Sequence, residues 1–300
     1  MRILLLGGNG QLGTELQRSL APLGALTIGT RNGQLADGTP CEAADFDVPD
    51  ALAALVEGSG ADVVVNAAAY TQVDKAEQEP DAAFRANAHA PGALAQACAR
   101  TGARLVHYST DYVFDGGGTR PYREDDPTSP LGVYGHSKRA GELAVFGGGA
   151  RHLLFRTAWV YAAHSHNFLR TMLRVGAERD ELRVVADQVG TPTPAALIAD
   201  VTARALQGDP QRSGVWHLTP TGQTSWHGFA EAIFEGAVAR GLLARRPKVE
   251  AITTADFPTP ATRPAYSVLD CTALQRDFGI QLPDWREGLA QTLDRLASSP

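Results

Sequence analysis

Short apolar runs alternate with amphipathic stretches along nearly the whole chain. Residues 2–6 (Arg2-Ile3-Leu4-Leu5-Leu6) form a run of strand length, followed by a Gly-rich turn and then by Leu16 and Leu20 at helical spacing. The same alternation continues with strands expected over 25–29 and 62–66 and a helix over 49–56 that Asp47 or Asp50 can cap. Next come a helix over about 80–100, bent where Pro91 removes a backbone donor, and a strand ending at Ser109. Further strands are expected over 152–156, 182–185 and 214–219, with helices over 168–176, from Pro194 to about Leu206, and over 226–240. A Pro-rich loop over 247–264 and two helices over 272–278 and 285–296 close the chain, in the manner of a separate lid.

Apolar strands alternating with helices imply a parallel sheet covered on both faces. The fold class is therefore α/β, a Rossmann-type doubly wound parallel sheet with a smaller, mostly helical C-terminal substrate domain. Residues 1–160 with about 193–219 are expected to form the dinucleotide-binding part, and about 161–192 with 220–300 the substrate-binding part.

Three hundred residues, 44% of them hydrophobic, suffice for a large core and a second smaller one. A net charge of −6 argues against a nucleic-acid partner. No apolar stretch approaches the roughly 20 residues of a membrane span, and the run before Gly7 is too short for a signal peptide. A soluble, cytoplasmic chain with no membrane partner is expected. Cys41, Cys98 and Cys271 are odd in number and far apart, which supports reduced thiols and neither disulfides nor a zinc site. His164 and His166 have no nearby Asp, Glu or Cys to complete a ligand set, so no metal is expected.

Two stretches carry chemistry. Gly7, Gly10 and Gly13 follow the first strand and open a helix, the context in which a Gly motif holds a dinucleotide: Gly7 for the tight turn, Gly10 for close approach of a pyrophosphate, Gly13 for packing. The second strand ends at Thr30-Arg31-Asn32, where Arg31 in place of an acid favours a 2'-phosphate and hence NADPH, with NADH possible. Ala67, Ala68 and Ala69 end the next strand and make a floor free of large side chains for a flat cofactor. The other stretch is 109–138. Tyr134 and Lys138 stand four apart on one helical face, and only three Lys stand among the 27 Lys and Arg residues. A nearby ammonium favours the phenolate and makes Tyr134 a better proton donor. Thr110 ends the strand before it, with a hydroxyl able to bond a substrate oxygen.

With GGNGQLG (7–13), VVNAAAYTQVDKAE (64–77), STDYVFDG (109–116), YGHSK (134–138), RTAWVY (156–161), DQVGTPT (187–193) and RPAYSVLD (263–270) in place, the chain resembles the extended short-chain dehydrogenases/reductases. Within that superfamily it is similar to the dTDP-4-dehydrorhamnose reductase family over essentially its whole length. The resemblance implies NADPH-dependent reduction of the C4 ketone of dTDP-4-dehydro-L-rhamnose to dTDP-L-rhamnose. It implies a catalytic set of Thr110, Tyr134 and Lys138, with a cofactor held by Gly7, Gly10, Gln11, Leu12, Arg31, Asp45, Phe46, Ala67, Ala68, Ala69, Tyr134 and Lys138. Thr71, Val73, Asp111, Tyr112 and Trp159 would line the sugar pocket, and Arg263 would meet the nucleotide diphosphate. The expected partner is a dTDP-sugar, and the expected assembly a monomer or homodimer.

A sugar-nucleotide dehydratase needs an acid and a base for elimination, often Asp-Glu after the Thr, whereas Thr110 is followed by Asp111-Tyr112. A non-catalytic regulatory relative would not need Thr110, Tyr134 and Lys138 together.

Overall fold

In the computed structural model, which describes residues 1–298, the apolar runs line up as one seven-stranded sheet, all of it parallel. Its strands are β1 (Arg2–Leu6), β2 (Ala25–Thr30), β3 (Glu42–Ala43), β4 (Val63–Asn66), β5 (Arg104–Thr110), β6 (His152–Thr157) and an edge strand, Gly214–His217. From that edge the order is β6-β5-β4-β1-β2-β3. The chain therefore leaves β1 in one direction and crosses back to build from β4 in the other. Ligands of such sheets sit at this reversal, outside the carboxyl ends of β1 and β4. Leu6 pairs with Asn66 there, so Gly7 and Ala67 emerge side by side.

Alternate residues of each strand point to opposite faces. Ile3 and Leu5 face a core with Leu16, Val106, Phe155 and Ile198, while Leu4 and Leu6 face Val64, Leu94, Leu105 and Leu154 on the other side. A third core lies apart from both and joins Tyr161, Leu169, Leu182, Phe229, Phe234, Trp285 and Leu289. It is built from helices Phe168–Glu178, Trp226–Ala239 and Trp285–Ser298 and from a two-stranded ribbon.

That ribbon differs from the expected Pro-rich loop. Lys248–Ile252 is a strand paired in parallel with Glu181–Val185. Lys248, Glu250 and Ala251 are exposed, so the segment lacks the apolar run that marks a buried strand. The helix crossing Pro91 also departs from a simple bend. It runs from Pro80 to Thr101 as Pro80–Phe84, a π turn at Arg85–His89, and Ala90–Thr101. Pro91 cannot donate to the carbonyl four residues back, and the wider turn just before it accommodates that defect. Two further short ladders, Val189–Gly190 with Thr224–Ser225 and Val160–Tyr161 with Thr193–Pro194, tie 187–194 to its surroundings.

Among the described residues no helix is long and apolar enough to cross a membrane. No group of three or more His, Cys, Asp or Glu side chains among them could hold a metal ion. Cys41, Cys98 and Cys271 are free thiols.

Candidate active site

β5 ends at Thr110, and a single 3-10 turn, Asp111–Val113, follows it. The Thr110 hydroxyl accepts from the Tyr112 amide at 3.2 Å and donates to Asp111 Oδ1 at 2.9 Å. Thr110, Asp111 and Lys138 are all buried. The helix Val133–Gly147 lies across this turn, and the absent side chain of Gly135 lets it rest on the Tyr112 carbonyl. The Tyr134 ring thereby meets the edge of Tyr112, with centroids 5.6 Å apart at 78°.

Electrostatics at this point differ from those expected of the Tyr–Lys pair. Burial pushes the Tyr134 phenol up to about 12; a hydrogen bond with Thr110 opposes the rise and the Asp111 charge adds to it. Lys138 instead donates to the Tyr108 carbonyl at 2.6 Å, and burial holds its ammonium down to about 8 against the pull of Glu142. Burial likewise raises the Asp111 carboxyl to about 6, with the Ser267 and Thr110 hydroxyls opposing.

The family described as "RmlD substrate binding domain" matches residues 1–298. A dTDP-4-dehydrorhamnose reductase of Burkholderia thailandensis is 50% identical, covering 95% of this chain and 96% of that one. The chain belongs to the dTDP-4-dehydrorhamnose reductase family. Among solved structures, a dTDP-4-dehydrorhamnose reductase of Clostridium acetobutylicum superposes with a TM-score of 0.89 at 37% identity, over 99% of both chains. Another from Bacillus anthracis, in complex with NADP, has a TM-score of 0.89 at 33% identity, over 98% of this chain and 99% of that one.

A cofactor cradle of the kind this family implies is built from backbone. Gly7 has φ of +87°, and a Cβ on it would lie 2.7 Å from the Ala68 amide nitrogen. Gly13 packs on the Gly7 carbonyl, and the Gly7 and Gly8 amides donate to the Gly29 carbonyl at 2.9 and 3.2 Å. Gly10 precedes the helix Gln11–Leu20 without a capping side chain, which leaves its first amides for an anion. Ala67 and Ala68 are half-buried and Ala69 exposed, so the floor is open. Arg31 is exposed just after β2, and among the described residues no carboxylate pairs with it. Asp45 and Phe46 stand after β3, and the adjacent Ala44 amide is hooked to the Thr30 carbonyl at 2.8 Å. These features fit a dinucleotide.

Among the other expected site residues, Thr71 and Val73 follow β4 and Trp159 follows β6. Val73 opens a short helix after Thr71, and Trp159 holds φ of +46°, stacked on Trp226 at 3.6 Å and 9°. A non-glycine residue at positive φ marks stored strain, which collects at functional sites. Gly190 makes room for the Trp159 ring. The Arg263 guanidinium is already engaged: Asp74 holds it by both oxygens at 3.0 and 2.7 Å.

Sequence reasoning missed several side chains that shape this site. Asn66 Oδ1 accepts from the Ala68 amide at 3.1 Å, and Asn87 bonds both the Tyr70 amide and carbonyl, so the Ala floor is fixed at both ends. Asn167 donates to Gln11 Oε1 at 2.9 Å, and His164 lies 3.2 Å from the Gln11 carbonyl, so the histidine loop braces the start of the Gly-motif helix. Asn66, a polar residue closing the apolar run of β4, was the available signal; Asn87 and Asn167 have partners distant in sequence.

Proposed function

We propose that this protein reduces the C4 ketone of dTDP-4-dehydro-L-rhamnose to dTDP-L-rhamnose with NADPH. The observation that carries the proposal is the junction of Thr110, Asp111 and Tyr134 at the carboxyl end of β5, next to a backbone cradle that fits a dinucleotide. Membership of the reductase family supplies the substrate class.

When bound, NADPH supplies hydride to the carbonyl carbon. Tyr134 gives its phenol proton to the oxygen as negative charge develops there, and Thr110 orients that oxygen through its hydroxyl. Lys138 must leave the Tyr108 carbonyl, or share its protons, to favour the phenolate that results. Gly7, Gly10, Gln11, Leu12, Asp45, Phe46 and the Ala67–Ala69 floor hold the cofactor, and Arg31 meets its 2'-phosphate. Thr71, Val73, Asp111, Tyr112 and Trp159 face the sugar, and Arg263 serves the diphosphate. Residues 1–160 with about 193–219 act as the cofactor domain, and about 161–192 with 220–300 as the sugar-nucleotide domain; the separate third core supports that division. The protein acts in the cytoplasm as a monomer or homodimer.

The test is loss of NADPH absorbance in the presence of dTDP-4-dehydro-L-rhamnose. Tyr134→Phe is expected to lower kcat by about 100-fold or more, the usual worth of a placed acid. Sugar-dependent oxidation that survives undiminished in the variant would remove Tyr134 from the chemistry, and none with the wild type would remove the substrate assignment.

A further inference from the structure

The helix that presents Tyr134 and Lys138 has no cap of its own. Gly132 precedes it and offers no side-chain acceptor, so the first amides depend on groups from elsewhere. One arrives from far back in the chain: Glu77 Oε1 accepts from the Val133 amide at 2.8 Å, across 56 positions of sequence. Room for it exists because position 132 is glycine. A Cβ there would stand 2.6 Å from the same carboxylate oxygen. A carboxylate at a helix start also opposes the helix dipole favourably.

Glu77 ends the short segment that begins at Val73, and Asp74 on that segment grips another part of the molecule. Its carboxylate takes both Arg263 terminal nitrogens and the Ala261 amide, the last at 3.2 Å. Five residues thus touch two things: the start of the Tyr134 helix and the C-terminal arm around Ala261 and Arg263.

We propose that Glu77 is a positioning residue for Tyr134, fixing the first turn of its helix and tying the proton donor's placement to the segment that seats the C-terminal arm. Val133 immediately precedes Tyr134, so losing this bond releases the turn that carries the phenol. The proposal rests on the ketone-reduction function given above, which supplies the rate to be read.

Glu77→Ala is expected to lower kcat about 5- to 30-fold, the rate equivalent of the 1 to 2 kcal/mol that a helix cap contributes, with KM for NADPH unchanged. Glu77→Gln keeps a carbonyl acceptor without the charge and is expected to recover part of that loss. In a Tyr134→Phe background, Glu77→Ala is expected to cost almost nothing further, because its effect passes through the phenol. Amide exchange at 133–135 is expected to speed up in Glu77→Ala. A kcat within twofold of wild type, a rise in KM for NADPH instead, or an equal loss in the Tyr134→Phe background would each overturn the proposal. Should the wild type reduce no ketosugar, the assigned function falls, and exchange then decides alone: unchanged exchange at Val133 in Glu77→Ala also overturns the role of Glu77.

Discussion

Asp111 offers a sharp test of how burial sets charge at this site. Its carboxyl is 1% exposed and is raised from the ordinary 3.8 to about 6, first by burial, with hydrogen bonds to Ser267 and Thr110 pulling the other way. As pH climbs from 4 to 6, the unfolded chain gives up this proton before the folded one does. The folded state is therefore penalised progressively, and above pH 6 it carries the full cost of an ionised buried group. A gap from 3.8 to about 6 corresponds to about 3 kcal/mol. Asp111→Asn has no proton to lose at these pH values. Part of that cost, about 0.5 kcal/mol, is already present at pH 4, so its stability relative to wild type should rise by about 2.4 kcal/mol between pH 4 and pH 7, whatever constant offset the altered hydrogen bonds introduce. For a chain of 300 residues that is about 4 °C in Tm. Denaturant and thermal melts of both proteins across that range measure the difference, in which every other titrating group cancels. A difference that stays flat within about 1 kcal/mol, or falls with pH, would refute the reasoning.

Two other expectations concern charge elsewhere. Arg156→Met takes from the fully buried Glu142 its bidentate Arg156 contacts of 2.8 Å each and leaves the Arg139 contact at 2.9 Å. The loss should be near 3 kcal/mol in urea unfolding, the low end for a broken buried pair, and a loss under 1 kcal/mol would show that Arg139 suffices. Arg31→Asp should raise KM for NADPH about 10- to 100-fold, the worth of a charge-assisted bond, while leaving KM for NADH nearly unchanged. Steady-state rates with the two cofactors read the ratio directly, and parallel changes for both would dissociate Arg31 from the 2'-phosphate.

What the chain disclosed as sequence, and what it withheld, follows from how far apart the interacting groups lie. Central strands were legible because a parallel sheet buried on both faces demands unbroken apolar runs, as in Val63–Asn66. The Gly motif was legible because one local turn makes three demands on backbone space within seven residues. Lys248–Ile252 was not, since a mostly exposed ribbon leaves no such run. The site divides in the same way. Tyr134 and Lys138 announce themselves by helical spacing, yet their protonation depends first on burial, and then on Thr110, Asp111 and Glu142, none of which spacing encodes. Arg263 was noticed for its fork, but Asp74, 189 positions earlier, occupies that fork in the folded chain. A diphosphate bound at Arg263, as proposed, would displace a carboxylate or share its partner. Because Asp74 and Glu77 belong to one segment, that exchange would occur three residues from the contact that holds the helix of the proposed proton donor. Under the proposed roles, substrate recognition and proton donation meet in Val73–Glu77.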